Sequence, residues 1–401
     1  MTTPDKMKRS SERARSWTGP ALFTYGYRPF FLFGAIWSAL AMLIWIGFLV
    51  GWVGLGSAFD PVSWHAHEML FGTLGAVFAG FLLTAVPNWT GRLPIVGWPL
   101  AGLVSLWVIG RLSVLLLSGV QPITVAILDL VFPIALVVLI AREIKAGKNW
   151  KNLPVLALLV LFIVANTLFH VEASQGGYAA SGLGFRLGLA VAVGFVTLIG
   201  GRIVPSFTRN WLAKQQIQPL PIPFGTYDKV TMGLTLVALV SWVSQPIHWV
   251  TGVACTIAGV VNIVRVSRWS GIRTFAEPLV WVLHAGYMIV PLGFAVVALS
   301  IWDAEIVAPV AAQHVWMAGL VGVMPLAVMT RASLGHAGLP LKAFPGVSVV
   351  YLLILTSVLT RFIAGFDGTP TWILHVSAFC WIAGFAGFAV LYWPILSKPR
   401  R

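Results

Sequence analysis

Eight histidines in a chain of 401 residues are the first candidates for chemistry, because neutral imidazole is the commonest metal ligand and suits copper, iron and zinc. His65 and His67 stand two residues apart, with Glu68 directly after them, and His170 is followed closely by Glu172. His284, His314 and His375 each lie in an apolar run. On a helix two residues are about 200° of rotation. His65 and His67 therefore point to opposite sides, and serve either two neighbouring sites or one site and one structural bond. Glu68 is placed to ligate a metal, to orient an imidazole or to carry a proton in catalysis. Cys255 and Cys380, the two cysteines, lie in apolar runs without ligand-like spacing, which argues against iron–sulfur clusters, structural zinc and a disulfide framework.

The elements that must position these residues are membrane helices. Only 9% of the residues are charged and 58% are hydrophobic, with a mean hydropathy of +0.90, whereas a soluble domain is roughly a quarter charged. The composition excludes a water-soluble globule. The net charge of +14 does not indicate nucleic acid, because the basic residues sit in short loops between apolar runs and form no single polar face. A spanning helix needs about 20 apolar residues. The segments 30–52, 61–87, 95–118, 121–141, 153–172, 182–205, 229–246, 249–266, 277–300, 307–330, 344–364 and 371–395 qualify, with 229–246 and 249–266 the weakest pair. Asp60-Pro61 and Glu277-Pro278 each set an acid before a proline at the first helical position. The first run is too long for a signal-peptide core. The expected fold is an all-α polytopic membrane protein of twelve transmembrane helices over 30–395, after a basic cytoplasmic segment 1–29 and before a cytoplasmic tail 396–401.

Alternating twelve spans puts every Lys and Arg except Arg111, Arg186 and Arg361, out of 26, on one side. By the positive-inside rule that side is the cytoplasm, so both termini are inside. His65, His67, His170, His314 and His375 then share one outer layer, while His284 lies about 10 Å from its cytoplasmic start. A single interfacial histidine is ordinarily just hydrated; several at one depth, in a chain this poor in polar groups, point to function. Arg111, Arg186 and Arg361 fall at the same depth. Arg111 is matched by Asp129 on the next span, which predicts a structural ion pair. Arg186 and Arg361 lack such an acid, and either snorkel to the surface or hold an anionic ligand, for which haem propionates would suit. Val86-Pro87…Thr90, Val204-Pro205…Thr208 and Val328…Thr330 recur at span ends four spans apart, reflecting either three four-helix units or coincidence at generic helix ends.

At these residues the chain resembles the NnrS family of bacterial inner-membrane proteins. The matching stretches are Arg28–Leu32 (RPFFL), Trp64–Gly72 (WHAHEMLFG), Gly80–Gly91 (GFLLTAVPNWTG), Gly201–Thr208 (GRIVPSFT), Trp281–Tyr287 (WVLHAGY) and Met329–His336 (MTRASLGH). The resemblance implies haem b and copper, a multi-pass location in the bacterial inner membrane, and a link to nitric oxide in denitrification and nitrosative stress. The expectation that follows is a haem–copper oxidoreductase that reduces NO to N2O in the outer half of the bundle. Its metal ligands would come from His65, His67, His170, His314, His375 and His284, with Glu68 catalytic and Arg186 and Arg361 binding the cofactor. Electrons would come from quinol or a periplasmic donor, and the other expected partners are the lipid bilayer, a homo-oligomer and no nucleic acid. The alternative is a sensor or chaperone that binds NO or metal without turnover. A transporter would hold its site at the midplane, where these histidines are not.

Overall fold

The computed structural model describes residues 17–91 and 94–399. Residues 1–16, Arg92, Arg400 and Arg401, which carry part of the expected charge asymmetry, lie outside the described residues. Twelve long helices occupy the expected spans: α1 Tyr27–Leu49, α2 Pro61–Thr90, α3 Trp98–Leu116, α4 Pro122–Ala146, α5 Leu153–Ser174, α6 Leu183–Lys214, α7 Thr226–Ser244, α8 Trp249–Ser267, α9 Pro278–Trp302, α10 Pro309–Ala337, α11 Pro345–Ile363 and α12 Trp372–Ser397. No strand occurs among the described residues. Eleven of these helices are long and apolar enough to cross a bilayer. The remaining one, α7, carries Asp228, Lys229 and three threonines along its 19 residues. The protein is therefore an all-α, multi-pass membrane protein. Its lipid-side positions show as exposed apolar residues such as Leu43, Ile123, Val138, Leu236, Leu352 and Val390, as a hydrocarbon environment allows.

Local chemistry starts the helices where the sequence indicates. The Asp60 carboxylate accepts from the Val62 and Ser63 amides at 3.1 and 3.0 Å, and the Glu277 carboxylate accepts from the Leu279 amide at 3.1 Å. Each satisfies donors that the first helical turn leaves without partners.

The second helix of each successive group of four is unusual. α2, α6 and α10 are the longest helices, and each contains a π-helical stretch: Glu68–Thr73, Val196–Gly200 and Gly319–Val323. A π turn disturbs the backbone hydrogen-bond ladder, and a side chain from another helix can then bond into it. The Trp107 indole donates to the Gly72 carbonyl at 3.0 Å, and Arg265 Nη1 donates to the Thr197 carbonyl at 3.2 Å. The third and fourth helices of each group are also joined by a buried polar pair. These pairs are Arg111–Asp129, Asp228–Arg265 and Ser357–Ser377. These local features thus recur at intervals of four helices.

By packing, the chain groups into two compact units, one running to Gly188 with Ala332–Leu339 and the segment from Ala389, the other Leu189–Arg331 with Pro340–Phe388. The expected outer-layer pair of Arg111 and Asp129 lies in the first unit.

Candidate metal centre

In the first unit α2, α3, α4 and α5 bring six polar side chains together in an apolar interior: His67, Glu68, Arg111, Asp129, Asn166 and His170 are all buried. Arg111 bonds both carboxylates. Its Nη1 donates to Glu68 Oε1 and Oε2 at 2.7 and 2.8 Å, and its Nη2 donates to Asp129 Oδ1. Two glycines make room for it. A Cβ on Gly72 would lie 2.6 Å from Arg111 Nη1 and 2.8 Å from Glu68 Oε2, and one on Gly110 would lie 3.0 Å from Asp129 Oδ1. The expected Arg111–Asp129 pair is present, as part of a larger network that includes a second acid.

The remaining bonds fix the orientation of His67. Asn166 Nδ2 donates to Asp129 Oδ2 at 2.7 Å, so Asn166 Oδ1 is the atom facing His67 Nε2 at 2.9 Å. His67 Nδ1 faces Glu68 Oε1 at 3.0 Å, and its Nε2 also lies 3.2 Å from Asp129 Oδ2. Both ring nitrogens thus face oxygen acceptors. A neutral imidazole has only one N–H, which Glu68 takes, leaving the Nε2 lone pair against two oxygens. That position calls for a cation at Nε2, either a proton or a metal ion.

The donor set fits a small ion. Ligand atoms of His67, Asp129 and His170 lie within 4.8 Å of one another. His67 Nε2 and His170 Nε2 are 3.2 and 3.1 Å from Asp129 Oδ2, close to the edge of about 3.3 Å for a tetrahedron with metal–ligand bonds of about 2.0 Å. The bond from His67 Nδ1 to Glu68 is the outer-shell carboxylate contact that orients metal-ligating histidines. The Trp37 indole bonds Glu68 Oε2 at 2.7 Å and holds that acid in turn. With both histidines neutral the cluster sums to one negative charge, which an added cation would cancel. A macrocycle does not fit here. The His67 ring is packed by Phe59, Phe71, Phe169 and His170, with centroids 5.1 to 5.4 Å away.

Of the six histidines expected as ligands, His67 and His170 come together. His65 turns away and stacks on Trp45 at 4.7 Å, as its 200° offset requires. In the second unit, His314 Nδ1 lies 2.7 Å from the Val310 carbonyl and 3.3 Å from Arg361 Nη2. The shorter contact puts the proton on Nδ1. His375 is exposed on α12. His284 Nε2 bonds Thr208 Oγ1 at 2.7 Å, and its Nδ1 is buried without a partner beside Gly271. Arg186 donates to the Ser181 carbonyl at 2.7 Å. Glu172 caps α6, accepting from the Leu183 and Gly184 amides.

Asn166 was not evident as a site residue. Its signal was available: it is a polar residue in an apolar run, one helical turn before His170. Arg265, which the span count puts on the cytoplasmic side at the end of 249–266, is fully buried. α8 runs on to Ser267, and Arg265 turns inward to Asp228 at 3.0 Å and Tyr287 at 2.8 Å.

The family model described as NnrS protein matches residues 21–400, so the chain belongs to that family and is a membrane protein linked to nitric oxide. No curated protein matches it.

Proposed function

We propose that this NnrS-family chain holds a copper ion between His67, Asp129 and His170, and there reduces nitric oxide to nitrous oxide, in the bacterial inner membrane. The observation that carries the reading is the His67 ring, whose two nitrogens both face oxygen acceptors. Imidazole suits copper, iron and zinc alike, and copper is the metal that the family resemblance implies. A cuprous ion would bring the cluster to zero net charge, the state that costs least in a low-dielectric interior.

Copper bound here would supply one-electron chemistry and affinity for NO. The side chains supply the rest. Glu68 holds the His67 Nδ1 proton and so keeps Nε2 turned toward the ion. Asn166 and Arg111 position the Asp129 carboxylate. Arg111 stays cationic at any accessible pH and stabilises negative charge that develops on a reacting oxygen. Two NO with a quinol give N2O, water and quinone, so the quinol supplies both electrons and both protons. Haem b, which the family resemblance implies, gains no support from this cluster, whose histidines are enclosed by aromatic rings. Full enclosure favours one second reading, a binder of metal or NO without turnover, since structural metal sites are closed whereas catalytic ones keep an open position.

Metal analysis and NO consumption with a reduced quinol test both readings. Purified protein should carry about one copper per chain. His67→Ala and His170→Ala should lose it along with NO consumption, while His65→Ala keeps both. Full copper in His67→Ala and His170→Ala would overturn the site. Copper without N2O production would leave the binder.

A further inference from the structure

Two loops of the second unit meet on the side that the positive-inside rule makes cytoplasmic. Residues 215–225 join α6 to α7, and residues 268–277 join α8 to α9. The Ile222 amide donates to the Arg268 carbonyl at 3.1 Å and ties one loop to the other. Both loops turn large apolar side chains outward. Ile222 and Phe224 are 51% and 52% exposed, Phe275 69% and Ile272 85%. The backbone beneath them is ordered locally. Pro219, Pro221 and Pro223 each fix a torsion of the first loop, and Gly271–Thr274 forms a 3-10 turn in the second. Single exposed apolar residues are ordinary, but several on two joined loops form a patch that marks an interaction.

The charge around this patch has one sign. Lys229 and Arg273 are exposed, and Arg268 is partly so. The two acids between residues 202 and 277, Asp228 and Glu277, are buried and already engaged. Asp228 accepts from Arg265 Nε and the Gly225 amide, both at 3.0 Å. Glu277 accepts from the Leu279 and Ala343 amides at 3.1 and 3.0 Å. Arg268 lies over the Tyr227 ring, 4.6 Å from its centroid, and is 3.9 Å from Asp228, beyond hydrogen-bond reach.

A surface at once apolar and cationic, at the ends of membrane helices, fits the boundary between lipid headgroups and acyl chains. A second copy packed on the same face would set like charges against one another, and a zwitterionic lipid would leave the cations unbalanced. We propose that the two loops form a binding surface for an anionic phospholipid, its phosphate at Arg268 and Arg273 and its acyl chains against Ile272 and Phe275.

Native mass spectrometry of the full chain, released from mixed micelles with equal phosphatidylglycerol and phosphatidylcholine, tests the preference. The wild type should retain phosphatidylglycerol in excess. Arg273→Gln should lower that preference by about fivefold, the worth of one basic side chain near an anionic surface. Lys145→Gln makes the same charge change at an exposed position on α4 in the first unit, and should leave the preference unchanged. No preference in the wild type, or an equal loss in both variants, overturns the proposal. Ile272→Ser combined with Phe275→Ser should weaken retention of both lipids. If that variant instead splits a dimer into monomers, the patch is a self-interface and the proposal falls. A nitroxide on Ile272→Cys checks the depth, because both native cysteines are buried. In phosphatidylglycerol vesicles the label should be relaxed more by oxygen, which concentrates in hydrocarbon, than by an aqueous nickel chelate. The reverse order would place the loop in water and overturn the site.

Discussion

Asp129→Asn and Arg111→Leu, taken singly and together, test whether the buried network is energetically coupled. The Asp129 carboxylate accepts from Arg111 through Oδ1 and from Asn166 and His170 through Oδ2. An asparagine has one oxygen, so in either orientation its amide donor faces another donor. Arg111 keeps Glu68 as a partner at 2.7 Å, which limits the damage. The loss should be about 3 kcal/mol, near the lower end of the range for breaking a buried pair. Arg111→Leu leaves two buried carboxylates without their shared cation and should cost about 5 kcal/mol. The double variant removes one of those carboxylates along with the arginine, and its remaining Glu68 can be balanced by a protonated His67. It should therefore be no less stable than Arg111→Leu alone, giving a coupling of at least about 3 kcal/mol. Reversible unfolding in mixed micelles with SDS measures all four proteins. Additive losses, with coupling below about 0.5 kcal/mol, would refute the pairing as the source of stability. A fully stable Asp129→Asn that loses only turnover would make Asp129 a proton carrier instead.

Gly72→Ala places a methyl group 2.6 Å from Arg111 Nη1 and 2.8 Å from Glu68 Oε2, and should cost about 1–3 kcal/mol by overcrowding. Unchanged unfolding would show that the network relaxes freely. In the second unit, Arg265→Leu leaves Asp228 with only the Gly225 amide and the more distant Arg268, and removes the donor to the Thr197 carbonyl. It should destabilise by about 3–5 kcal/mol while leaving metal content unchanged, and a loss of metal would contradict the placement of the site. A reporter fused after the last residue should be cytoplasmic if both termini are inside, so periplasmic alkaline phosphatase activity from that fusion would reverse the orientation.

The sequence by itself determined the fold class and the helices, because a bilayer demands long apolar runs and admits few exceptions. It also determined the caps at Asp60 and Glu277 and the partnership of Arg111 with Asp129, since an acid and a base at one depth on consecutive helices have strong reason to meet. Depth along a helix follows from residue count. Which faces meet does not, because that depends on helix crossings and on neighbours distant in the chain. His67 and His170 converge while His65, at the same depth, stacks on Trp45, and only the tertiary arrangement decides between them. The π-helical stretch beginning at Glu68 adds to this, since it shifts the angular phase of everything that follows on α2. Arg265 shows the same limit at a helix end. Its type and position suit a solvated loop, and burial against Asp228 and Tyr287 is favourable only because those partners are folded into reach.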